Sequence, residues 1–571
     1  MTAPGPDTVV LGATRAAPPD GGPARAGRTA PAGEESLTEV VVQVLARALD
    51  GLPAPLRRGT PVLLAATDHC VATTSGYVAR CVEAEAGGRR LRPSESMAPE
   101  PAQLLQEFAE RSDWDGAGHV LISPRGAAEQ ALRWARGAVA AGLHEAMVVC
   151  ELARDPESGG YLVTATLVAA PAGAPSPGDA VGSGVVLSGL GLVTAFGDGV
   201  DAFWRELVAG RRALSELTRF DAARFRSRTV CQAAAEAGPG LPVRRVLLDR
   251  ARTEALAGAG LTRLPERTLL VGAGVVPHLP AVDGAPQIRE ISLEEEWDGE
   301  GFGVSPGNAA LLAHACASGA FGLAMAREWL LSGLADMAVV TGVSALNVYD
   351  YACLDVLRAT SIRTARPFDR DRSGVTIGEG AGAVVLETAE HAAARGHRPA
   401  AALGGIACRV GGRGTSALNA EIAADCMRAA LDMAGTDRVD HVHGHAPGTR
   451  QGDEAELLAL DTVGAERGWR GVPVSSYKGA AGHLLHASVF PALAAAVQAL
   501  RSGVVPGTPG LRSAPDTRHV RVPAGPEPCD GIRSVLVDNF GFGGNNAALL
   551  LTSSATNHPK GEEPAWQTRS C

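Results

Sequence analysis

The sequence predicts an α/β protein, and both its patterning and its composition point that way. Strand-like apolar runs alternate with helix-like amphipathic stretches along most of the 571 residues, which is typical of layered α/β folds. Gly is frequent, with 70 residues, and aromatic residues make up only 4%, so a β-sandwich is disfavoured. Because one minimal core needs far fewer residues, we expect two or more domain-sized units.

Charge and hydropathy exclude several classes of protein. Lys and Arg number 52 and Asp and Glu 62, a net charge of −10, and no long basic run occurs, so nucleic acid is not an expected partner. No signal-like start and no apolar stretch of about 18 residues is found, so we expect no membrane association and a cytoplasmic location. The ten cysteines lack the paired spacing of a metal site, and we expect reduced thiols.

The N-terminal part of the chain predicts a leader followed by a small α/β unit. Residues 1–36 are rich in Ala, Pro and Gly, so we expect a mostly disordered leader. Residues 37–171 alternate helix-like and strand-like segments, which favours a largely parallel sheet. In order, these are a helix at 40–49, a strand at 61–67, a helix at 102–112, a strand at 119–124, a helix at 127–142 and strands at 146–152 and 161–170.

A linker rich in Pro, Gly and Ser separates this unit from a larger one. The composition predicts the linker at 172–184, since such sequences join independently packed units. Strand and helix signals then alternate again over 185–553, which we divide into halves at 185–395 and 396–553. The polar residues 554–571 predict a flexible tail.

One internal similarity links the two units. Residues 123–151 have the same layout as residues 316–342: a Gly-containing turn, a helix, a Gly and then an apolar strand. Aligning Gly126 with Gly319 places Ser123 where Cys316 stands. The alternative is that both stretches are ordinary turn–helix–strand units of an α/β protein, and the sequence leaves that choice open.

The segment HACASGA at 314–320 is a candidate nucleophile site. It places Cys316 between small residues just before a strongly helical stretch. Small neighbours permit a sharp turn, and the start of a helix favours a thiolate. A thiol placed in this way can accept an acyl group.

Three downstream segments supply polar groups that acyl-transfer chemistry needs. HGHAPGTRQGD at 443–453 follows a strand, and PVSSYKGAAGHLLHAS at 473–488 contains Lys478 and His483. VDNFGFGGNNAALLL at 537–551 is a strand interrupted by glycines, which allow backbone N–H groups to approach a ligand closely. Each histidine could also be an ordinary core residue.

Together these segments resemble the β-ketoacyl synthases of fatty-acid and polyketide systems. The resemblance covers most of residues 185–553 and includes VVLSGLGLVTAFGDGV at the start and ARPFDRDRSGVTIGEGAGAVVLE at 365–387. It implies the thiolase-like fold, with αβαβα layers, and a discrete enzyme of type II style. By the internal similarity, residues 37–171 resemble a degenerate half of the same fold.

The resemblance also implies roles for individual residues. Cys316 would be the nucleophile, and His445 and His483 would assist decarboxylation of malonyl groups and stabilise the enolate oxygen. Lys478 would bond an acidic network around the second histidine, with Asp453 and Glu456 as members. The remaining implied groups are the backbone N–H donors of Cys316 and Phe542 in an oxyanion hole, and pantetheine or substrate contacts from Thr449, Phe540, Phe542 and Gly543.

The reaction implied is a decarboxylative Claisen condensation that needs no metal or nucleotide cofactor. An acyl group on Cys316 would react with a malonyl group delivered on the phosphopantetheine of a separate acyl carrier protein. Family members suggest a homodimer or a heterodimer with a second ketosynthase-like chain. Two alternatives stay open: transfer of the acyl group to an amine, alcohol or thiol, and a non-catalytic subunit that resembles a chain-length factor. An intact Cys316 disfavours the second.

Three departures from the family pattern bear on substrate binding. Ala446 and Pro447 replace the usual residues after His445, which removes one hydroxyl, and Val375 stands where the family's gate loop has Phe. The interval from Gly189 to Cys316 is 127 residues, shorter than in the family, and the missing part normally helps to build the dimer contact and the acyl tunnel. We therefore expect the N-terminal unit to pack on the synthase and replace lost partner surface.

Overall fold

The computed structural model describes residues 7–16, 36–97, 99–171, 184–236, 241–293, 304–411 and 418–554. The predicted linker, apart from Gly184, lies outside these ranges, and so does the predicted tail after Ser554. Three α/β units follow one another along the chain, and each contributes five principal strands to the sheet.

Within its described residues, the first unit contains five strands and six helices. Its strands are β1 (Asp7–Ala16), β2 (Val62–Ala65), β3 (Gly118–Leu121), β4 (Ala146–Arg154) and β5 (Tyr161–Ala169). Its helices are α1 (Leu37–Asp50), α2 (Ala54–Gly59), α3 (Thr67–Ala86), α4 (Pro93–Met97), α5 (Gln103–Arg111) and α6 (Ala127–Ala140). Every strand and helix predicted for residues 37–171 is present, whereas the 20-residue helix α3 was not predicted.

The second unit carries the candidate nucleophile. Its strands are β6 (Val185–Thr194), β7 (Gly197–Asp198), β8 (Ser215–Glu216), β9 (Thr229–Val230), β10 (Thr268–Ala273), β11 (Ala309–Leu312), β12 (Met337–Ser344) and β13 (Gly380–Thr388). Its helices are α7 (Val200–Val208), α8 (Val243–Gly258), α9 (Ser318–Leu331), α10 (Val348–Val356) and α11 (Ala389–Ala394). Short 3₁₀ turns lie at Ile288–Glu290, Pro306–Asn308 and Ala315–Ala317.

The third unit carries the candidate histidines. Its strands are β14 (Ala401–Val410), β15 (His441–His443), β16 (Val472–Ser475), β17 (Val504–Val505), β18 (Val520–Arg521), β19 (Glu527–Pro528), β20 (Ser534–Gly541) and β21 (Asn545–Thr552). Its helices are α12 (Ala420–Ala434), α13 (Arg450–Glu466), α14 (Lys478–Ala481) and α15 (Val489–Ser502). A 3₁₀ turn spans Leu485–Ala487.

The three units share one strand order. If the five principal strands of each are numbered along the chain, they pair in the order 3-2-4-5-1: β3-β2-β4-β5-β1, β11-β10-β12-β13-β6 and β16-β15-β20-β21-β14. The first three strands in each list are parallel, and the last two are antiparallel to their neighbours. Of the four strands predicted for residues 37–171 as a largely parallel sheet, β2, β3 and β4 are parallel, and the prediction is wrong for β5. A short connection, residues 155–160, joins β4 to β5 as a hairpin, and a hairpin imposes antiparallel pairing.

The disordered leader predicted at 1–36 is wrong for residues 7–16. These residues form β1, which pairs antiparallel with β5 from Asp7 opposite Ala169 to Ala16 opposite Tyr161. The composition of the leader favours disorder, but β5 is the edge of a formed sheet, and its unpaired backbone groups provide hydrogen bonds for a further strand.

The first and second units share a continuous sheet. Strand β3 pairs antiparallel with β11, with Leu121 opposite Leu312. Hydrogen bonds run from Ile122 N–H to the Leu311 carbonyl (2.9 Å) and from Ala313 N–H to the Val120 carbonyl (3.2 Å). Ten strands, five from each unit, therefore form one sheet that crosses the boundary between the units.

Two buried helices explain the layered architecture. Helix α9 has buried residues all around its first three turns, as does most of α15, and each contacts strands of both synthase halves. At the contact, a Cβ atom on Gly382 of β13 would lie 2.2 Å from Phe490 of α15, so only glycine fits there. Helices that are apolar on every side are stable only when they are covered on every side.

None of the described helices combines the length and apolar character needed to cross a membrane. Within the described ranges, no group of three or more His, Cys, Asp or Glu side chains is arranged to hold a metal ion. The nine cysteines in these ranges are free thiols.

Candidate active site

Cys316 lies in a sharp turn between β11 and α9. The turn requires a left-handed backbone at Ala315, whose φ is +44°, a conformation that costs energy for residues other than glycine. The Cys316 side chain is buried, and burial raises the pKa of the thiol to about 12 although Lys478 acts to lower it. Desolvation of the sulfur therefore acts against the thiolate expected at the helix start.

His445 and His483 lie on two loops of the third unit. Their ring centroids are 5.3 Å apart and the rings are nearly perpendicular. Both side chains and Cys316 line one cavity of about 540 Å³, here called the front cavity. The structure thus brings the three residues predicted from sequence to a common space.

The tautomer of His445 follows from its hydrogen bonds. Its Nδ1 atom accepts a hydrogen bond from the backbone N–H of Phe540 at 3.2 Å. A neutral imidazole that accepts at Nδ1 carries its hydrogen on Nε2. The pKa of His445 lies well below its ordinary value because of burial and the charge of Lys478. His445 is therefore a neutral ring with an N–H donor at Nε2.

The backbone of His483 is fixed on both sides. Its N–H donates to the Thr376 carbonyl at 2.8 Å, and its carbonyl accepts from Gly378 N–H at 2.9 Å. Among the described residues, no hydrogen-bond partner faces its buried Nδ1 atom. Burial, together with Lys478, holds the pKa of this ring well below its ordinary value, so His483 is also neutral.

Lys478 contacts His445, and this corrects the prediction that it acts around the second histidine. Its ammonium donates to the His445 carbonyl oxygen and lies 3.5 Å from Nδ1. The short helix α14 begins at Lys478 and directs the side chain toward the loop after β15. Burial lowers the pKa of Lys478 to about 8, against the attraction of Glu456.

Asp453 and Glu456, both on α13, hold the loop that carries His445. The two Glu456 oxygens accept from the backbone N–H groups of His445 (2.6 Å) and Ala446 (2.7 Å). Asp453 accepts from Gly448 N–H (3.1 Å) and Phe368 N–H (2.8 Å). Burial raises the pKa of Asp453 to about 6 and that of Glu456 to about 7. Asp453 and Glu456 therefore hold in place the backbone of the loop that carries His445.

The glycine-rich turn between β20 and β21 approaches Cys316 very closely. A Cβ atom on Gly541 would lie 2.8 Å from the His314 carbonyl oxygen and 3.0 Å from the Cys316 nitrogen. Gly543, two residues further along the chain, has a positive φ of 74°. Only glycine permits this approach, and it places the neighbouring Phe542 on the lining of the front cavity.

The predicted pantetheine and gate positions also reach the front cavity. Thr449, Phe540 and the altered positions Pro447 and Val375 all line it. Gly543 does not, and instead faces Glu100 of the first unit, whose Cγ would be 2.7 Å from a Cβ atom there. Val375, at the position where the resemblance predicts a Phe in the gate loop, thus directly borders the space beside Cys316.

Comparisons with known proteins agree with this geometry. Residues 305–392 match the family model described as the β-ketoacyl synthase N-terminal domain, and residues 400–512 match the β-ketoacyl synthase C-terminal domain. The α subunit of the tetracenomycin polyketide ketoacyl synthase of Streptomyces glaucescens is 31% identical over 64% of this chain and 96% of its own. The chain belongs to the β-ketoacyl synthase family.

Two further relatives define this ketosynthase more closely. The mitochondrial 3-oxoacyl-[acyl-carrier-protein] synthase of Arabidopsis thaliana is 29% identical over 65% of this chain and 93% of its own. The solved ishigamide ketosynthase/chain length factor superposes with a TM-score of 0.56 and 28% identity, over 65% of this chain and all of its own. This kinship makes the chain a condensing enzyme of the polyketide ketosynthase type with the thiolase-like fold.

His314 and Asn545 form a hydrogen-bonded link next to the ketosynthase site that was not predicted from the sequence. His314 Nε2 accepts from the Val120 N–H of β3 at 2.8 Å, so its Nδ1 donates to Asn545 Oδ1 at 2.7 Å. Asn545 in turn donates to the Phe542 carbonyl at 2.6 Å. The motifs HAC and GGNN contain His314 and Asn545, but only the fold shows that they connect the first unit to the glycine-rich turn.

Glu100 is the second residue that sequence reasoning missed. It lies in a loop of the first unit, and nothing in its local sequence marks it. In the structure its carboxyl group contacts Asn545 and the backbone of Ala315, beside the nucleophile. Burial outweighs these contacts and raises the pKa of Glu100 to about 8.

Proposed function

We propose that this chain catalyses decarboxylative Claisen condensation between an acyl group on Cys316 and malonyl-acyl carrier protein. One observation carries the proposal: the Cys316 thiol and two neutral imidazoles line a single cavity, and His445 presents an N–H donor at Nε2. Condensation needs a nucleophile that holds the acyl group and donors for an enolate oxygen.

In the first half-reaction Cys316 attacks the carbonyl carbon of an acyl-carrier thioester. A new C–S bond forms to Cys316, the bond to the carrier's sulfur breaks, and the thiol proton ends on that sulfur. The backbone N–H groups of Cys316 and Phe542 would stabilise the negative oxygen of the tetrahedral intermediate. One such donor is worth roughly 10²- to 10³-fold in rate.

In the second half-reaction malonyl-carrier protein enters the front cavity and loses CO₂. The electron pair left behind forms an enolate whose oxygen accepts hydrogen bonds from His445 Nε2–H and from His483. The enolate carbon attacks the acyl carbonyl, the bond to Cys316 breaks, and its sulfur takes up a proton. Because neutral N–H donors meet the developing charge directly, we propose that no metal or nucleotide cofactor takes part.

Lys478, Asp453 and Glu456 act as positioning residues. Lys478 bonds the His445 carbonyl, and Glu456 binds the N–H groups of His445 and Ala446. Together they fix the ring that must point Nε2 into the cavity. Burial of all three groups makes this support strong, because a buried hydrogen bond to a charged group contributes about 1.5–3 kcal/mol.

The rim of the front cavity supports an acyl carrier protein as the partner. The exposed side chains of Arg226, Arg358 and Arg450 line the cavity, and no Asp or Glu does so among its described residues. Exposed Ile362 adds an apolar contact. A positive rim favours a negatively charged carrier domain, while Thr449 and Phe540 inside would contact its phosphopantetheine arm.

The test uses CO₂ release from radiolabelled malonyl-carrier protein by wild type, His445→Ala and His483→Ala. We expect each variant to lose at least about 10²-fold in decarboxylation, while Cys316 still acquires an acyl mass. His397→Ala is the matched control, since this histidine bonds the Ser188 carbonyl and does not line the front cavity. Acylation of Cys316 without histidine-dependent CO₂ release would instead favour plain acyl transfer to an amine, alcohol or thiol.

A further inference from the structure

A second, smaller cavity lies behind Cys316 and is built by two units. This rear cavity measures about 110 Å³, and Cys316 and Phe542 line both it and the front cavity. One wall comes from the synthase, with Val275, Leu354 and Leu485. The opposite wall comes from the first unit, with Thr74 and Tyr77 of α3, Ser96 and Met97 of α4, and Glu100.

The wall from the first unit is firmly held. Tyr77 Oη donates to the Tyr349 carbonyl at 2.8 Å, and Cys353 Sγ donates to the Ser96 carbonyl at 3.4 Å. Behind this wall, the pairing of β3 with β11 joins the sheets of the two units. A second ketosynthase-like chain could not add to the β11 edge without displacing β3. The first unit therefore covers the edge of β11, the strand that leads to Cys316, within the same chain.

The size and lining of the rear cavity restrict what it can hold. A water-sized group takes about 30 Å³, so about three or four such groups fit in the cavity. The residues that line it are buried or half-buried, so its walls leave room for only a short group beyond Cys316. Glu100 and Asp350 also line it, and an alkyl chain packed against two carboxyl groups would remove their remaining contact with water at a cost.

We propose that the first unit forms the end wall of the acyl pocket and limits the group carried by Cys316 to about four carbons. The limit comes from Met97 and Tyr77, with Glu100 disfavouring extended alkyl chains. This inference rests on the proposed function, because it concerns the acyl group that Cys316 accepts. It assigns the first unit a role in substrate selection in addition to its packing role.

The test measures acylation rates of Cys316 by intact-protein mass spectrometry with even-numbered acyl-carrier thioesters from acetyl to decanoyl. For wild type we expect the rate to fall at least about tenfold from butyryl to hexanoyl, since methylenes beyond the length of the pocket must displace its packed walls. Met97→Ala should bring the hexanoyl rate to within about threefold of the butyryl rate. Met433→Ala, a half-exposed methionine on α12, should leave the profile unchanged.

A cavity-filling variant gives the opposite shift and guards against misfolding of Met97→Ala. Thr74→Leu should lose butyryl loading at least about tenfold and retain acetyl loading. Alkylation of Cys316 by iodoacetamide reports whether each variant keeps an intact site. Equal loading of butyryl and decanoyl by wild type, or unchanged profiles in both variants, would overturn the inference alone. Wild type that is alkylated at Cys316 but loads no acyl group would overturn the proposed function itself.

Discussion

The turn after β3 and the turn after β11 have the same layout but different roles. Each follows a strand at the joint between two units, and each leads into a helix. In the first unit, Ser123 Oγ accepts from Leu311 N–H at 3.0 Å, and the Ser123 carbonyl accepts from Thr67 at 2.9 Å. Through these bonds Ser123 helps to hold the first and second units together, whereas Cys316 lines both the front and the rear cavity. The same half-fold serves as a support in one place and as a catalyst in the other.

The difference lies in what faces each turn. The glycine-rich turn of the third unit approaches Cys316, and the loops with His445 and His483 complete the cavity. Ser123 instead faces the neighbouring sheet edge. A nucleophile at this turn therefore needs the loops of a second half-fold packed against it. In the first unit, the edge of β11 in the synthase lies at that position instead.

The largest expected effect separates the two turns directly. Cys316→Ala should abolish acylation and lower condensation by at least about 10³-fold, because no covalent intermediate can form. Ser123→Ala should change the condensation rate by less than about twofold and destabilise the joint by about 1–3 kcal/mol, since Leu311 N–H loses its partner. Turnover assays and denaturant titrations measure the two effects. A Ser123→Ala variant as inactive as Cys316→Ala would make the comparison wrong.

The second prediction displaces the glycine-rich turn between β20 and β21 that faces Cys316. Gly541→Ala adds a Cβ atom 2.8 Å from the His314 carbonyl and 3.0 Å from the Cys316 nitrogen, so the turn must move away. We expect a loss of about 10²-fold in acylation rate, the size of one oxyanion donor. Gly525→Ala, with nothing within 4 Å of its Cβ, is the control. Normal acylation by Gly541→Ala would show that this approach is not needed for chemistry.

The third prediction breaks the connection between the two turns. His314→Leu leaves Val120 N–H and Asn545 Oδ1 without their partner, which should destabilise the protein by about 2–4 kcal/mol. Because Asn545 anchors Phe542, we also expect a roughly tenfold loss of condensation rate. His397→Leu loses one hydrogen bond far from the cavities, and should lower stability without changing the rate. Unchanged kinetics of folded His314→Leu would contradict the connection.

The smallest effect concerns pH and the helices that follow the two turns. Glu328 of α9 accepts from Trp134 Nε1 (2.7 Å) and bonds His144 (2.9 Å), both from the first unit. Burial acts to raise the pKa of Glu328, but His144 lowers it to about 2, and Glu328 in turn raises the pKa of His144 against burial.

The sign of the pH effect follows from these shifts. A raised histidine pKa contributes stability below its ordinary value, which is lost as pH rises through the raised value. The lowered Glu328 pKa contributes stability that is lost only as pH falls toward 2. Between pH 6 and pH 9 the wild type should therefore lose up to about 1 kcal/mol from this pair, and Glu328→Gln should not. Denaturant midpoints at both pH values check this, and identical pH profiles would contradict it.

Much of the fold could be predicted from local pattern. Apolar runs located β2 to β5, and the linker composition separated the units. The pairing of β1 was missed because it depends on a strand about 150 residues away, whose edge offers hydrogen bonds that composition does not reveal. The role of Lys478 was assigned to the wrong histidine, because the direction of α14 relative to β15 is not a local property.

The amino-acid sequence by itself determined which residues are candidates for chemistry, since motif order and residue type predict Cys316, His445 and His483 as a condensing set. Tertiary structure alone decided that the Cys316 thiol is buried, which raises its pKa, that Ser123 bonds across the joint between two units, and that Glu100 and Met97 line a cavity together with Cys316. The physical reason is that pKa values and cavity walls depend on burial and on contacts between distant segments, which exist only after the three units have packed together.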